Sequence, residues 1–268
     1  MMPTSPDPRL IAHLRAAGCV FAEDEALLLI EAAKGHADAA SELDRLAARR
    51  IGGEPLEQVV GWAEFAGRRI LVEPGVFVPR RRTELLVAEA AGFARAAAHP
   101  DHVPVVVDLC CGTGAIGAAV ADAVGPIDLV AADVDPAAVR TARRNLESLG
   151  ARVAEGDLFD ALPDDLRGRI DVLAVNAPYV PTDEIAMMPP EARDHEARVA
   201  LDGGTDGLDV QRRVAASARD WLAPGGHLLI ETSRRQAPAT LALVEAGGLV
   251  VHVAHDEKIA GTVVIGRV

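Results

Sequence analysis

Polar residues with the makings of a reactive site gather at the ends of apolar runs in this chain. VLAVNAPYVP (172–181) delivers Asn176, Ala177, Pro178 and Tyr179 straight after a hydrophobic stretch, and Tyr179 is the only tyrosine among 268 residues. These residues suit a planar acceptor that carries an NH2 group. The lone pair of such a nitrogen is delocalised, so it attacks an electrophile only when both protons are held and the nitrogen is aimed. The Asn176 side chain and the Ala177 carbonyl could accept the two protons. Pro178 biases Ala177 towards an extended backbone that points its carbonyl, and Tyr179 could cover the flat face of the acceptor.

The second stretch, VVDLCCGTGAIG (106–117), ends an apolar run in a glycine-rich turn: Cys110, Cys111, Gly112, Thr113, Gly114, and then Gly117. A turn of this kind between a strand and a helix brings free backbone amides close to a ligand. The spacing is GxGxxG, and Asp133 lies 21 residues beyond Gly112, where a carboxylate can accept from ribose hydroxyls. Asp157, in EGDLF, puts an acid at a third strand end. Two cofactors fit, a dinucleotide and S-adenosylmethionine. Asp108 and Cys110 favour the second, because an acid just before the turn can face a positively charged methionine group and would repel a pyrophosphate. Cys110 and Cys111 read as small buried hydrophobes. No CxxC spacing or histidine cluster points to a metal.

Strands and helices must hold these stretches together. Residues 1–52 read as a small helical domain: Leu27, Ile30 and Ala33, then Leu43, Leu46 and Ala47, fit helical faces broken at Gly35 and stopped at Gly52. Residues 53–82, punctuated by glycine and proline, read as a hairpin-like linker. Residues 83–268 form the third unit, in which Thr83 is placed to cap a helix running to about Ala98. Strands are expected at 105–110, 127–132, 151–154, 170–175 and 227–231, with helices at 115–123, 136–148 and about 208–222. That alternation signals an α/β fold with a parallel sheet. Around Leu249 and Thr262 two apolar stretches have no helix between them, so the last strand is expected to run antiparallel. His195 and Glu196 read as an exposed loop pair.

Composition bounds the partners. The net charge is −13, with 40 acidic against 27 basic residues. Phosphate-tracking surfaces are basic, so nucleic acid is not expected as the main partner. Three cysteines, two of them adjacent, fit a reducing compartment. Neither a signal peptide nor an apolar run of about 18 residues is present, which predicts a cytoplasmic protein without a membrane partner.

Several segments in order resemble one family. GEPLEQVVGWAEFAGRRILVEPGVFVPRRRTELLV, DLCCGTGAIG, AADVDPAAV, GDLF, NAPYVP and ALDGGTDGLDVQRRV are similar to the protein-glutamine methyltransferases that modify peptide chain release factors, the HemK family, whose NPPY motif NAPY resembles. The resemblance implies a class I methyltransferase fold, a seven-stranded Rossmann-like sheet with its last strand antiparallel, preceded by a helical substrate-recognition domain. It further implies that Cys110 to Gly114 and Asp133 hold S-adenosylmethionine, that Asp157 and Leu158 lie by its adenine, and that Asn176 to Tyr179 grip a glutamine amide, with Asn176 also touching the cofactor. The implied substrate is the GGQ glutamine of class I release factors; sister enzymes act on a ribosomal protein. The rival readings are amino-group methylation of adenine or cytosine, a nicotinamide-dependent dehydrogenase, and a non-catalytic binding protein.

The chain departs from the family pattern at four places. Ala177 stands where the first proline is usual, loosening the backbone by roughly 0.4–1 kcal/mol. PRRRTE replaces PRPETE, putting Arg81 and Arg82 in place of proline and glutamate and reversing the local charge. Cys110 replaces a glycine, and Ala197 replaces a proline.

Overall fold

A computed structural model describes residues 6–268. Its first unit is three helices, α1 (Pro8–Ala16), α2 (Ala22–Ala33) and α3 (Ala39–Ile51), packed around Leu14, Ala26, Leu29 and Leu46. Aspartates open two of them: the Asp7 side chain accepts from Arg9 N and that of Asp38 from Ser41 N. Leu27, expected on the buried face, is exposed. The run LLLI holds more apolar residues than one face can take, and α2 turns inward the stripe Ala22, Ala26, Leu29, Ile30 and Ala33. A short helix, α4 (Leu56–Val60), adds Val59 to the same core.

The linker contains a true hairpin, β1 (Trp62–Phe65) and β2 (Arg68–Leu71), turned at Ala66 and Gly67, both with positive φ. Phe65 and Ile70 point into the core of the large domain. Helix α5 (Glu84–Ala97) follows, but Thr83 does not cap it. A single turn over Arg81–Thr83 runs straight into the helix, so Thr83 already has helical backbone and its hydroxyl is buried without a partner.

Strands and helices then alternate: β3 (Val105–Leu109), α6 (Ala115–Val124), β4 (Asp128–Asp133), α7 (Pro136–Leu146), β5 (Arg152–Glu155), β6 (Ile170–Val175), α8 (Pro190–His195), α9 (Asp209–Trp221), β7 (Leu222–Glu231), α10 (Ala237–Ala246), β8 (Val250–Asp256) and β9 (Gly261–Arg267). Among the described residues seven strands form one sheet, ordered β5-β4-β3-β6-β7-β9-β8. All pairings are parallel except those of β9, which runs antiparallel to β7 and β8, as expected of the last strand. The central strands of the sheet are buried on both faces, while the edge strand β8 is largely exposed. Val105, Val107 and Leu109 pack towards α9 and α10, while Val106 packs towards α5 and α6, which is why these strands read as unbroken apolar runs. Helix α10 was not anticipated, and Leu222, expected to close a helix, opens β7.

After β3 the chain builds outwards to β4 and β5, then crosses back to lay β6 on the other side of β3. That reversal leaves a crevice beyond the carboxyl ends of β3 and β6, where an open α/β sheet takes its ligand. The glycine turn follows β3, and NAPY follows β6.

Candidate active site

Register puts the key residues at one level. Leu109 pairs with Ala132 of β4 and Val175 of β6, Asp133 with Glu155 of β5, and Val175 with Ile230 of β7. The next residues, Cys110, Asp133, Glu155, Asn176 and Glu231, therefore stand in a row across the sheet edge. Cys110, Asp133 and Asn176, with Gly156 one step beyond Glu155, line a cavity of about 520 Å³, together with Cys111, Gly112, Thr113, Asp157, Leu158 and the rest of NAPY.

The glycine turn is shaped by distinct demands. Gly112 (φ +54°) and Gly114 (φ +75°) both have left-handed backbone. A β-carbon on Gly114 would lie 2.9 Å from Leu146 Cδ1 of α7, whereas one on Gly112 would meet nothing within 4 Å. Gly114 thus serves packing at the start of α6, and Gly112 borders open crevice. Asp133 holds the turn: its Oδ2 accepts from Gly112 N at 2.8 Å and its Oδ1 from Asp135 N at 2.9 Å. Each oxygen keeps a lone pair for a further donor such as a ribose hydroxyl. Burial raises the Asp133 pKa against these N–H donors.

Asp108 needs a correction. Expected to face the cofactor, it is fully buried beneath the turn and is not among the residues lining the cavity. Its Oδ2 accepts from Gly117 N at 2.9 Å, on the side of the sheet that faces α6. Burial, with the charge of Asp133 as a lesser cause, pushes its pKa up to about 8. Burial also raises both thiols, which leaves Cys110 and Cys111 protonated and poor nucleophiles. Cys110 adopts φ +58°, the left-handed region that suits the glycine usual there. Asp157 is half-exposed and accepts from Arg213 at 2.7 Å; Leu158 beside it is buried.

NAPY is fixed from behind. The loop after α8 supplies Gly203, Gly204 and Gly207: Val180 N donates to Leu201 O, and Gly203 N to Val180 O. A β-carbon on Gly207 would lie 2.3 Å from Tyr179 O, so only glycine lets the two backbones approach. Gln236 Nε2 donates to Tyr179 O at 2.9 Å. Ala177 is buried, while Asn176 faces the cavity. Among the described residues no hydrogen bond occupies the Ala177 carbonyl or the Asn176 side chain. The Tyr179 hydroxyl donates to Glu231 Oε1 at 3.3 Å, and burial, then the charge of Glu231, push its pKa up to about 12.

Sequence reasoning missed four residues here. Glu231 anchors Tyr179 from the end of β7. Asn145 of α7 accepts from Leu71 N and donates to Leu71 O and Thr113 O, pinning the hairpin to the glycine turn. Gln58 joins Gly75 N, Val76 O and His195 O. Glu196, read as exposed, is buried: its Oε1 accepts from Val78 N at 3.1 Å and Arg80 Nη2 at 2.5 Å. His195 is half-buried. The one sequence signal for Glu231 was its place at a strand end level with NAPY. Nothing local marked the others, whose partners lie distant in the chain.

Comparisons with known proteins agree with this geometry. The profile of a family described as "Methyltransferase small domain" matches residues 70–195. A release factor glutamine methyltransferase of Geobacter sulfurreducens is 38% identical over 226 residues, covering 83% of this chain and 76% of its own. A 4-amino-L-phenylalanine/4-methylamino-L-phenylalanine methyltransferase of Streptomyces pristinaespiralis is 38% identical over 201 residues, covering 75% and 68%. The crystal structure of a methyltransferase from Pyrococcus furiosus superposes with a TM-score of 0.56 at 18% identity, over 84% of this chain and 98% of that one, a likeness of fold. No helix among the described residues is long and apolar enough to cross a membrane. A methyltransferase sheet, a glycine turn level with NAPY, and identity sustained over most of both chains carry one conclusion: the chain belongs to the release factor glutamine methyltransferase family.

Proposed function

We propose that this protein transfers a methyl group from S-adenosylmethionine to the side-chain amide nitrogen of a glutamine, the GGQ glutamine of class I release factors, in the cytoplasm. The observation that carries the reading is the register of β3 and β6, which sets the glycine turn and the uncommitted acceptors of NAPY side by side. Open space at Gly112 and spare lone pairs on Asp133 fit the cofactor. Cys110 to Gly114, Asp133, Asp157 and Leu158 would hold it. When bound it supplies an electrophilic methyl group on a sulfonium sulfur that leaves as a neutral thioether.

The chain's own part is positioning. The Asn176 side-chain oxygen and the Ala177 carbonyl accept the two amide protons and turn the nitrogen lone pair towards the methyl group. Tyr179, held by Glu231, closes over the amide plane. The surplus proton on the nitrogen would be acidic once that nitrogen is methylated and would pass to solvent. No side chain need act as a strong base. A second acceptor class, a ring-bound amino group on a free amino acid, follows from the Streptomyces pristinaespiralis relative; the charge reversal at Arg82 favours it, as argued below.

Peptide mass spectrometry after incubation with purified release factor and labelled cofactor tests the reading. One methyl on the GGQ glutamine is expected, and its absence would sink that substrate. Asn176→Ala should lower kcat by about 100-fold or more, with cofactor affinity within about twofold of the parent.

A further inference from the structure

Two arginines line the acceptor end of the cavity in matching settings. Arg80 is held at Nη2 by buried Glu196 and lies 5.1 Å from the Phe77 ring centroid. Arg82 is held at Nε by Glu231 at 3.2 Å and lies 5.8 Å from the Tyr179 centroid. In each carboxylate the second oxygen is buried without a partner, so the arginine provides its charge compensation. The turn carrying Arg82 is braced from below, since a β-carbon on Gly261 would meet Arg82 O at 2.8 Å. Both guanidinium groups are thus oriented in advance by an acid, with an aromatic ring alongside.

Arg82 has donors to spare. A guanidinium carries five N–H groups, and among the described residues the hydrogen bonds of Arg82 involve Nε alone, so Nη1 and Nη2, beside the Tyr179 hydroxyl, have no hydrogen-bond partner. The Nη1–Nη2 edge matches a carboxylate bidentately. It has no use on an amide nitrogen, which needs acceptors. Its position agrees: Glu231 Oε1 accepts from both Arg82 Nε and the Tyr179 hydroxyl, so the guanidinium sits at the phenol tip, a full side chain from the NAPY backbone. The glutamate usual at this position would present acceptors there, next to the buried acid.

We propose that Arg82 is a specificity determinant that selects acceptors bearing a carboxylate at about a tyrosine side chain's length from the amino group to be methylated. The inference rests on the amino-group transfer reading above. Two sources supply such a group: an acidic residue beside the acceptor glutamine of a peptide, or the α-carboxylate of a free amino acid whose ring carries the amine. Phosphate is disfavoured by the overall charge of −13.

Binding to the S-adenosylhomocysteine-loaded enzyme tests this without turnover. Calorimetry would compare two probe pairs, a glutamine pentapeptide with aspartate or asparagine beside the glutamine, and 4-amino-L-phenylalanine or its carboxamide. The carboxylate member of one pair should bind about tenfold more tightly, and that pair identifies the source. Arg82→Glu should abolish the preference with S-adenosylhomocysteine affinity retained, and Arg82→Lys should keep part of it; Arg82→Gln serves if the glutamate disturbs folding. Equal binding within both pairs overturns the proposal, as does a preference unmoved by Arg82→Glu. Loss of both members together in that variant would mean that Arg82 grips the amide oxygen and would also overturn it, as would a phosphoserine peptide binding more tightly than either carboxylate. Failure to methylate any acceptor while the preference persists would refute the transfer reading and leave only the carboxylate preference of Arg82 standing.

Discussion

Asp108 and Asn176 stand on neighbouring strands, yet burial assigns them opposite work. Asn176 opens on the cavity with its side chain uncommitted, whereas Asp108 is sealed under the turn with one oxygen on Gly117 N and the other unpartnered. Desolvation favours the neutral acid, so its folded-state pKa of about 8 lies above the ordinary 3.8. Stability from the protonated form is therefore present at low pH and lost as pH rises from 3.8 through about 8. Thermal unfolding should show the parent losing Tm across that range, with a smaller loss in Asp108→Asn; parallel profiles would count against this account. Asp108 was read from sequence as a cofactor ligand because its spacing is right, but only the fold shows that its side chain points to α6. NAPY was legible because a lone tyrosine and an asparagine closed an apolar strand. The hydroxyl tie from Tyr179 to Glu231 joins residues 52 apart and left no local trace.

At the scale of elements, the glycine turn separates packing from binding. Gly114→Ala forces a β-carbon onto Leu146 in a left-handed backbone and should cost about 1–3 kcal/mol in denaturant unfolding. Gly112→Ala meets no neighbour and should cost about 1 kcal/mol, while weakening S-adenosylmethionine binding more than its effect on stability accounts for. Equal losses of stability in the two variants would contradict this division. Most strands of the sheet could be read beforehand, since burial on both faces makes them unbroken apolar runs bounded by glycine and proline. Helix α10 could not: it begins at Ala237 and Pro238 without a side-chain cap, after a polar run that reads as loop. It is held by packing on α9, β8 and β9.

For the molecule as a whole, Arg50 joins the N-terminal helices to the cavity. It is buried, pairs with buried Glu25 at 2.6 Å, and reaches Glu191 at 2.6 Å on helix α8, which borders the cavity. Arg50→Met would leave Glu25 buried and uncompensated, and should destabilise the fold by about 3–5 kcal/mol in urea unfolding. Glu191 is half-exposed, so Glu191→Gln should change stability by less than about 1 kcal/mol yet raise KM for a protein acceptor, because α8 loses its tie to the N-terminal helices. An unchanged KM would detach these helices from acceptor binding. The helical nature of residues 8–51 was readable from periodicity, but their link to the site runs through partners such as Arg50 and Glu191, 141 positions apart.

The row of residues across the sheet edge also acts as a ruler. From Asp133 on β4 to Glu231 on β7 are three strand gaps, about 14 Å at the usual spacing between paired strands. That exceeds the roughly 7–10 Å within which substitutions usually interact. Donor-end and acceptor-end changes should then combine independently: in a double-mutant cycle, Asp133→Asn and Arg82→Glu should have additive free-energy effects on kcat/KM. On the proposed reading, one half of the crevice can thus drift to a new acceptor while the other keeps its grip on the methyl donor.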